Sequence, residues 1–263
     1  MSEYRSPKTM QDNLARLSEN VYPGRGIVVG LNKAGDTAMQ AYWVMGRSVG
    51  SRARLLVNEL DEESDDGSRV IRTAPYNLPE GTDTSLIIYN AMRKIRTTHV
   101  VSNGDQTDTI VNFIREGSSF RKALKTREYE PDAPNYTPRI SGYTRFASDG
   151  SAYVTGYGLS VIHKGANTGQ PRHLFFGDSM REDDKGVGSC VHTYWGDGDP
   201  LPSFDGTPYS VPLGETVEET AETYWQALNK DNRVALVVKG IRIATSEELY
   251  KIINVHEQTE LAA

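Results

Sequence analysis

The chain has 263 residues, 37% of them hydrophobic and 24% charged, a globular composition long enough to bury a substantial core. A formal net charge of −6 lacks the basic footprint of a general nucleic-acid binder, yet a few local arginines still suffice for a small anionic ligand. The single cysteine, Cys190, excludes an intrachain disulfide, and the polar start and lack of a membrane-length apolar run predict a soluble, cytoplasmic protein without a membrane partner.

Residues 1–22 read as a polar N-terminal extension. Short apolar or alternating runs then predict strands at Gly26–Leu31, Met39–Met45, Arg54–Leu60, Ser68–Thr73, Leu86–Asn90 and Thr98–Ser102. Asn32–Asp36 has the composition of a hairpin turn. The acidic tip Asp61–Gly67 lacks calcium-ligand spacing and reads as a solvated hairpin end. Two helices follow, Asp105–Glu116 with Asp105 as its cap, and Ser119–Arg127. Strands resume at Arg139–Ala147, Ser151–His163, Pro171–Asp178 and Gly188–Trp195. Thr216 and Glu219 form a capping box for a long helix with an apolar stripe. Val234–Ile243 is a β-branched strand, and Ser246 opens a last short helix.

About ten strands and four helices with hairpin-length connections exclude a doubly wound parallel sheet. The expectation is an α+β fold: two mainly antiparallel sheets packed together, with helices outside. No linker or repeat divides the chain, so residues 1–263 read as one domain.

Four polar clusters are candidates for chemistry. The first, Arg47 to Arg54, sets Ser48 and Ser51 with a glycine among arginines, which suits either phosphate or a solvated basic turn. Tyr89 and Asn90 end an apolar run. Ser102, Asn103, Gly104, Thr107 and Asp108 span a strand end and a helix start, a place for ligand binding or for turn and capping chemistry. The segment Tyr129–Ile140 crowds carboxylates, phenols, an amide and a guanidinium between three prolines. Proline stiffens its own residue and the one before it, so this stretch is either a rigid ligand-binding wall or an ordinary turn entering a strand.

Other signals fail. The glycines around Arg25 precede a strand rather than follow one, unlike a dinucleotide motif. Cys190 and His192 share a strand face, but two ligands make no zinc site, and no metal site is expected. Asp197-Gly198-Asp199 is broken by prolines, and no Gly-x-Ser-x-Gly elbow is present.

Taken in order, Gly46-Arg47-Ser48 with Arg52, Tyr89-Asn90, Val101-Ser102-Asn103-Gly104 with Thr107-Asp108, and Tyr129-Glu130 with Asn135 and Thr137-Pro138-Arg139-Ile140 resemble the archaeal-type inosine monophosphate (IMP) cyclohydrolases. The resemblance covers Gly24–Gly142 well and is looser beyond. It implies a four-layer αββα sandwich like that of N-terminal nucleophile (NTN) hydrolases, without the N-terminal nucleophile. It also implies closure of the purine ring of 5-formamidoimidazole-4-carboxamide ribotide to IMP and water, with no cofactor, in a homo-oligomer. On this likeness Arg47, Ser48 and Arg52 face the phosphate or the reacting end, with Arg52 among the catalytic groups. Asn90, Asn103, Gly104, Thr107 and Asp108 position ribose or base, and Asn135, Thr137 and Arg139 complete the pocket. Glu130 is the expected proton acceptor and Tyr89 the donor to the formyl oxygen. A non-catalytic purine-ribotide binding protein and an amide hydrolase on the same fold are the alternatives.

Overall fold

The computed structural model describes residues 6–64, 66–147, 153–180 and 182–260. Numbered along the chain, one sheet holds β1 (Gly26–Leu31), β2 (Thr37–Met45), β10 (Val187–His192), β11 (Tyr209–Pro212), β12 (Arg233–Arg242) and β13 (Glu248–Asn254). Its order is β11-β10-β1-β2-β12-β13. The second sheet runs in sequence order through β3 (Arg54–Leu60), β4 (Arg69–Pro75), β5 (Asn90–Ile95), β6 (Thr98–Ser102), β7 (Arg139–Phe146), β8 (Val154–Lys164) and β9 (Pro171–Asp178). Neighbouring strands in both sheets are antiparallel.

The two-residue period of a strand decides what lies between the sheets. Ile27, Val29, Tyr42 and Val44 share one cluster with Ile71, Met92, Val101, Ile140, Leu159 and Val161 of the second sheet. The alternate residues Val28, Ala41 and Trp43 pack under helices α1 (Pro7–Glu19) and α5 (Val217–Ala227), through Leu17, Ala221, Tyr224 and Trp225. On the second sheet, Val100 and Ile162 sit under α3 (Gln106–Arg115) and α4 (Phe120–Leu124). Each fully buried side chain such as Ile27 or Trp43 contributes on the order of 1.5–3 kcal/mol.

Several expectations change. The N-terminal extension contains α1: Ser6 accepts the Thr9 amide at 3.2 Å, Pro7 takes the first helical position, and Met10 and Leu17 are buried. The expected strand Leu86–Asn90 is displaced to Asn90–Ile95, because Thr84 accepts the amides of Ile87 and Ile88 in a turn. No helix opens at Ser246. That residue takes φ +58° in a tight turn, and the β-branched and aromatic run beyond it pairs with β12 as β13. The strand expected at Gly188–Trp195 ends at His192, and β11 is added beside it. Two short helices, α2 (Val49–Arg52) and α6 (Val255–Glu260), complete the set.

Local chemistry is corrected too. Asn32 accepts the amides of Gly35, Asp36 and Thr37 and so builds the expected hairpin turn. Asp105 makes no capping bond. The Thr216 hydroxyl accepts the Glu219 amide at 3.1 Å, while the Glu219 carboxylate takes the Glu215 amide, so the capping box is half made. The acidic tip is more than a solvated end: Asp61 is buried, with both oxygens 2.8 Å from Arg93, and Asp66 pairs with Lys94.

Two buried histidines set a pH limit. Burial pushes His192 from 6.5 down to about 4, against a hydrogen bond to the Tyr194 carbonyl. Burial, then Lys239 and Lys94, push His99 well below its ordinary value. The unfolded chain therefore takes up protons below about pH 6.5 that the fold refuses. Stability is fully present above that pH and falls as the pH drops through it, by about 3 kcal/mol for His192 once pH 4 is passed. Urea midpoints measured from pH 7 to 4 are expected to decline, with a shallower decline in His192→Phe. An unchanged slope in that variant contradicts the assignment.

Candidate functional site

The chain enters β1 through Gly24 at φ +72°, where a Cβ would lie 2.1 Å from the Thr193 hydroxyl. Only glycine fits that approach, which carries Arg25 in between the sheets. The Arg25 amide donates to the Thr193 hydroxyl at 3.1 Å, and the Arg25 carbonyl accepts the Thr193 amide at 2.9 Å. Its guanidinium Nη2 then meets both oxygens of Glu130, at 2.8 and 2.9 Å. Arg25 is 8% exposed and Glu130 2%, so this is a buried ion pair.

Three tyrosines surround it. The Tyr42 and Tyr89 hydroxyls are 2.6 Å apart, and the Tyr194 hydroxyl bonds that of Thr137. Burial works against an ionised Arg25, but Glu130 and then the Tyr89, Tyr194 and Tyr42 hydroxyls outweigh it and hold the guanidinium charged. Burial pushes the Glu130 carboxyl up from its ordinary value, while Arg25 and Arg139 pull it down. Tyr42 is raised by burial and by Tyr89, with Arg25 and Arg54 opposing.

Two donors in this region are unspent. Arg25 Nε and Arg54 Nη2 are buried without a hydrogen-bond partner. A buried N–H left unpaired costs about 1–3 kcal/mol, so such groups need an explanation. Arg54 closes the arginine cluster that the sequence offers for phosphate, whereas Arg25 is not among the expected site residues. The signal for Arg25 was present, an arginine flanked by Gly24 and Gly26 directly before a strand, and it was set aside with the failed dinucleotide motif.

The proline-bounded segment is tied to itself. The Asp132 carboxylate accepts the Thr137 amide at 2.6 Å and also its hydroxyl, while the Glu130 amide donates to the Thr137 carbonyl at 2.9 Å. Asp132 thus shapes the loop that presents Glu130 and Thr137. Asn135, half-buried, accepts the Leu201 amide at 3.0 Å.

The remaining expected residues separate into three places. Around the start of α3, Asn103 accepts from the Ile140 amide and Gln106 and donates to the Pro138 carbonyl, which commits its side chain. Arg139 donates to Asp105 and Gln106, both at 2.7 Å, and Thr107 bonds Ser102. A Cβ on Gly104 would lie 2.7 Å from the Arg139 guanidinium and from the Gln106 amide oxygen, so a larger residue there would shift those two side-chain ends. Asn90 donates to Asp108 at 3.0 Å, and Asp108 also pairs with Arg93. At the surface Arg47 pairs with Asp197 and lies over the Tyr22 ring at 5.1 Å, and Ser48 caps α2. Arg52 points to the Gly46 and Asp231 carbonyls rather than to Glu130. Tyr89, Glu130 and Thr137 are therefore together around Arg25, while Arg47, Ser48, Arg52, Asn90 and Asp108 make their bonds in networks of their own.

Among the described residues, no three His, Cys, Asp or Glu side chains gather to hold a metal ion. Burial raises the Cys190 thiol to about 12, leaving it a poor nucleophile. Clefts of about 410 Å³ beside Asn32 and Glu218, and about 500 Å³ beside Arg16 and His192, are lined by residues outside this cluster.

The family model for IMP cyclohydrolase-like protein matches residues 22–245. An IMP cyclohydrolase of Methanosphaera stadtmanae is 34% identical over 160 residues, 57% of this chain and 70% of the relative. That of Methanococcus maripaludis is 30% identical over 125 residues, 46% of this chain and 57% of the relative. The enzyme of Methanocaldococcus jannaschii is 34% identical over 123 residues, 46% of this chain and 55% of its own length. The chain thus spans little more than half the length of two of these three relatives.

Removing one partner of a buried ion pair strands the other charge. Arg25→Met is expected to destabilise the fold by about 3–5 kcal/mol, and Arg25→Met with Glu130→Leu by clearly less than the sum of the two single changes. Chemical denaturation of the four proteins measures the coupling. Additive losses would show that the two side chains do not act as a pair.

Proposed function

The chain belongs to the IMP cyclohydrolase-like family, and on that premise we propose that it closes the purine ring of 5-formamidoimidazole-4-carboxamide ribotide to give IMP and water. The observation that carries the reading is the buried Arg25–Glu130 pair beside the Tyr42–Tyr89 hydroxyls, with guanidinium donors left unspent.

The substrate already carries both reacting groups on neighbouring ring atoms, so much of a proximity term of about 7–11 kcal/mol is built into it. Three tasks remain for the protein. It turns the formyl group toward the carboxamide nitrogen, accepts a proton from that nitrogen, and stabilises the oxyanion that forms as nitrogen attacks the formyl carbon. Glu130 is the proton acceptor in this reading, made more basic by burial. Arg25 Nε donates to the developing oxyanion, and Tyr89, polarised by Tyr42, supplies the proton that turns it into a carbinolamine. Glu130 then returns its proton to the departing hydroxyl, and the Tyr89 phenolate takes the adjacent N–H proton, which releases water, aromatises the ring and restores both side chains.

Arg47 and Ser48 take the phosphate, and Thr137 with Asn135 closes the wall. Asn103, Gly104, Thr107 and Arg139 act by fixing that wall, and Asn90 and Asp108 border the ribose. Arg52 moves from the catalytic group to the periphery. The reading calls for neither metal nor organic cofactor. We also place the fold with the NTN hydrolase-like αββα sandwiches and take the chain to act as one cytoplasmic domain in a homo-oligomer. Sedimentation as a monomer at working concentration would remove that last point.

A spectroscopic assay of ring closure against the uncatalysed rate tests the proposal. The protein is expected to accelerate closure, with Glu130→Gln and Tyr89→Phe each lowering the rate about 10²–10⁴-fold while remaining folded. Loss of the oxyanion donor in Arg25→Lys, which keeps a charge but not Nε, is expected to cost about 10²–10³-fold. Rate should rise with pH as Glu130 loses its proton, at a pH above the ordinary carboxylate range, and Glu130→Gln should lose that limb. Ribotide binding without acceleration would make the protein a binder, and near-normal rates in both variants would discard the assigned roles.

A further inference from the structure

The cleft between α1 and the segment after β10 has the parts of a second ligand site. Its residues Asn13, Arg16 and Leu17 of α1, with the C-cap Asn20, precede the family-matched stretch, which begins at residue 22. It opens on the other face of the first sheet from Glu130. Val191 points between the sheets, whereas Cys190 points into the core under α1 and α5, and strand alternation places His192 on that same side.

Three groups line the cleft and point to one chemistry. His192 is 3% exposed and uncharged, and its Nδ1 hydrogen bonds the Tyr194 carbonyl at 2.9 Å. Nε2 is then a lone-pair acceptor, without a partner among the described residues, on a ring that lines the cleft. Such a group recognises an N–H or O–H donor. Beside it stands Trp195, half exposed, edge-on to His192 with ring centroids 5.6 Å apart. Its indole N–H is held by Asp205 at 3.0 Å and Phe204 packs against it with ring centroids 4.5 Å apart, so the ring is fixed and its exposed half offers an apolar surface. Arg16 supplies an exposed guanidinium with no ion pair among the described residues. The volume of about 500 Å³ falls within the range of small-molecule sites.

We propose that this cleft binds a nucleoside monophosphate, its base stacked on Trp195 with an N–H donor to His192 Nε2, and its phosphate on Arg16. Asn13 Oδ1, on an amide whose Nδ2 donates to the Ser210 carbonyl at 2.8 Å, and the Thr207 hydroxyl lie among these residues and suit the hydroxyls of a ribose. Occupancy would reach the proposed reaction centre through Tyr194. Its carbonyl accepts from both His192 and Asn20, and its hydroxyl bonds Thr137. The binding claim itself stands whether or not ring closure is the activity.

Equilibrium dialysis of the whole chain with AMP tests it, with adenosine and inorganic phosphate as separate arms. Saturable AMP binding is expected, with each fragment at least tenfold weaker. Arg16→Ala, a surface change, should weaken AMP by about tenfold or more, as expected for a lost charge-assisted contact, while Arg47→Ala should not. His192→Phe, which keeps a ring but removes the acceptor, should weaken it as well. No binding at millimolar AMP overturns the proposal. So does binding that Arg47→Ala weakens and Arg16→Ala does not, because the nucleotide would then occupy the reaction centre.

Discussion

An arginine held charged between two apolar sheets is the constraint on which the rest of the site depends. Arg25 cannot sit there without a carboxylate, since desolvating a single charge costs several kcal/mol. Glu130 supplies that carboxylate from a loop more than a hundred residues away. The pair therefore ties the entry to β1 to the proline-bounded segment, and Thr193 ties that entry to the end of β10. Its net stabilisation is small against a hydrophobic substitute, but breaking it is costly, so it acts chiefly to specify position. The exposed Arg47–Asp197 pair carries no comparable weight, and a ligand phosphate can displace it at a cost of roughly 0–1 kcal/mol.

Much of the fold was legible because β-branched and aromatic alternation reports strands directly. The Ile27/Val29 and Val28 sides of β1 fall on opposite faces as the pattern requires. Helix α1 was hidden because only Met10, Leu14 and Leu17 mark its buried stripe in a polar stretch. At β13, the serine and glutamates resemble a helix start, and only pairing with β12 makes the stretch a strand. Local propensity gives way there to a tertiary hairpin.

Site legibility divides by how each residue acts. Glu130, Tyr89 and Thr137 stood out because the polar loop and the strand end concentrate functional groups. Arg25, Tyr42 and Tyr194 did not, since each is an isolated polar residue within or beside an apolar strand and acquires meaning only when the sheets stack. Asn103 and Arg139 have the right chemistry for a ligand, yet the Asn103 amide and Arg139 Nη1 are already committed to the protein. A sequence shows which side chains could bind, but only packing shows which are already occupied.

Tyr194 connects the two sides of the first sheet, its carbonyl accepting from His192 and its hydroxyl bonding Thr137. A crystal structure of the protein with IMP bound tests the central claim most directly. The account predicts the purine ring between the sheets, its six-membered ring edge within hydrogen-bond distance of Arg25 Nε and Tyr89, and its phosphate beside Arg47. A nucleotide bound with its phosphate against Glu130, or found only away from Arg25, would contradict it.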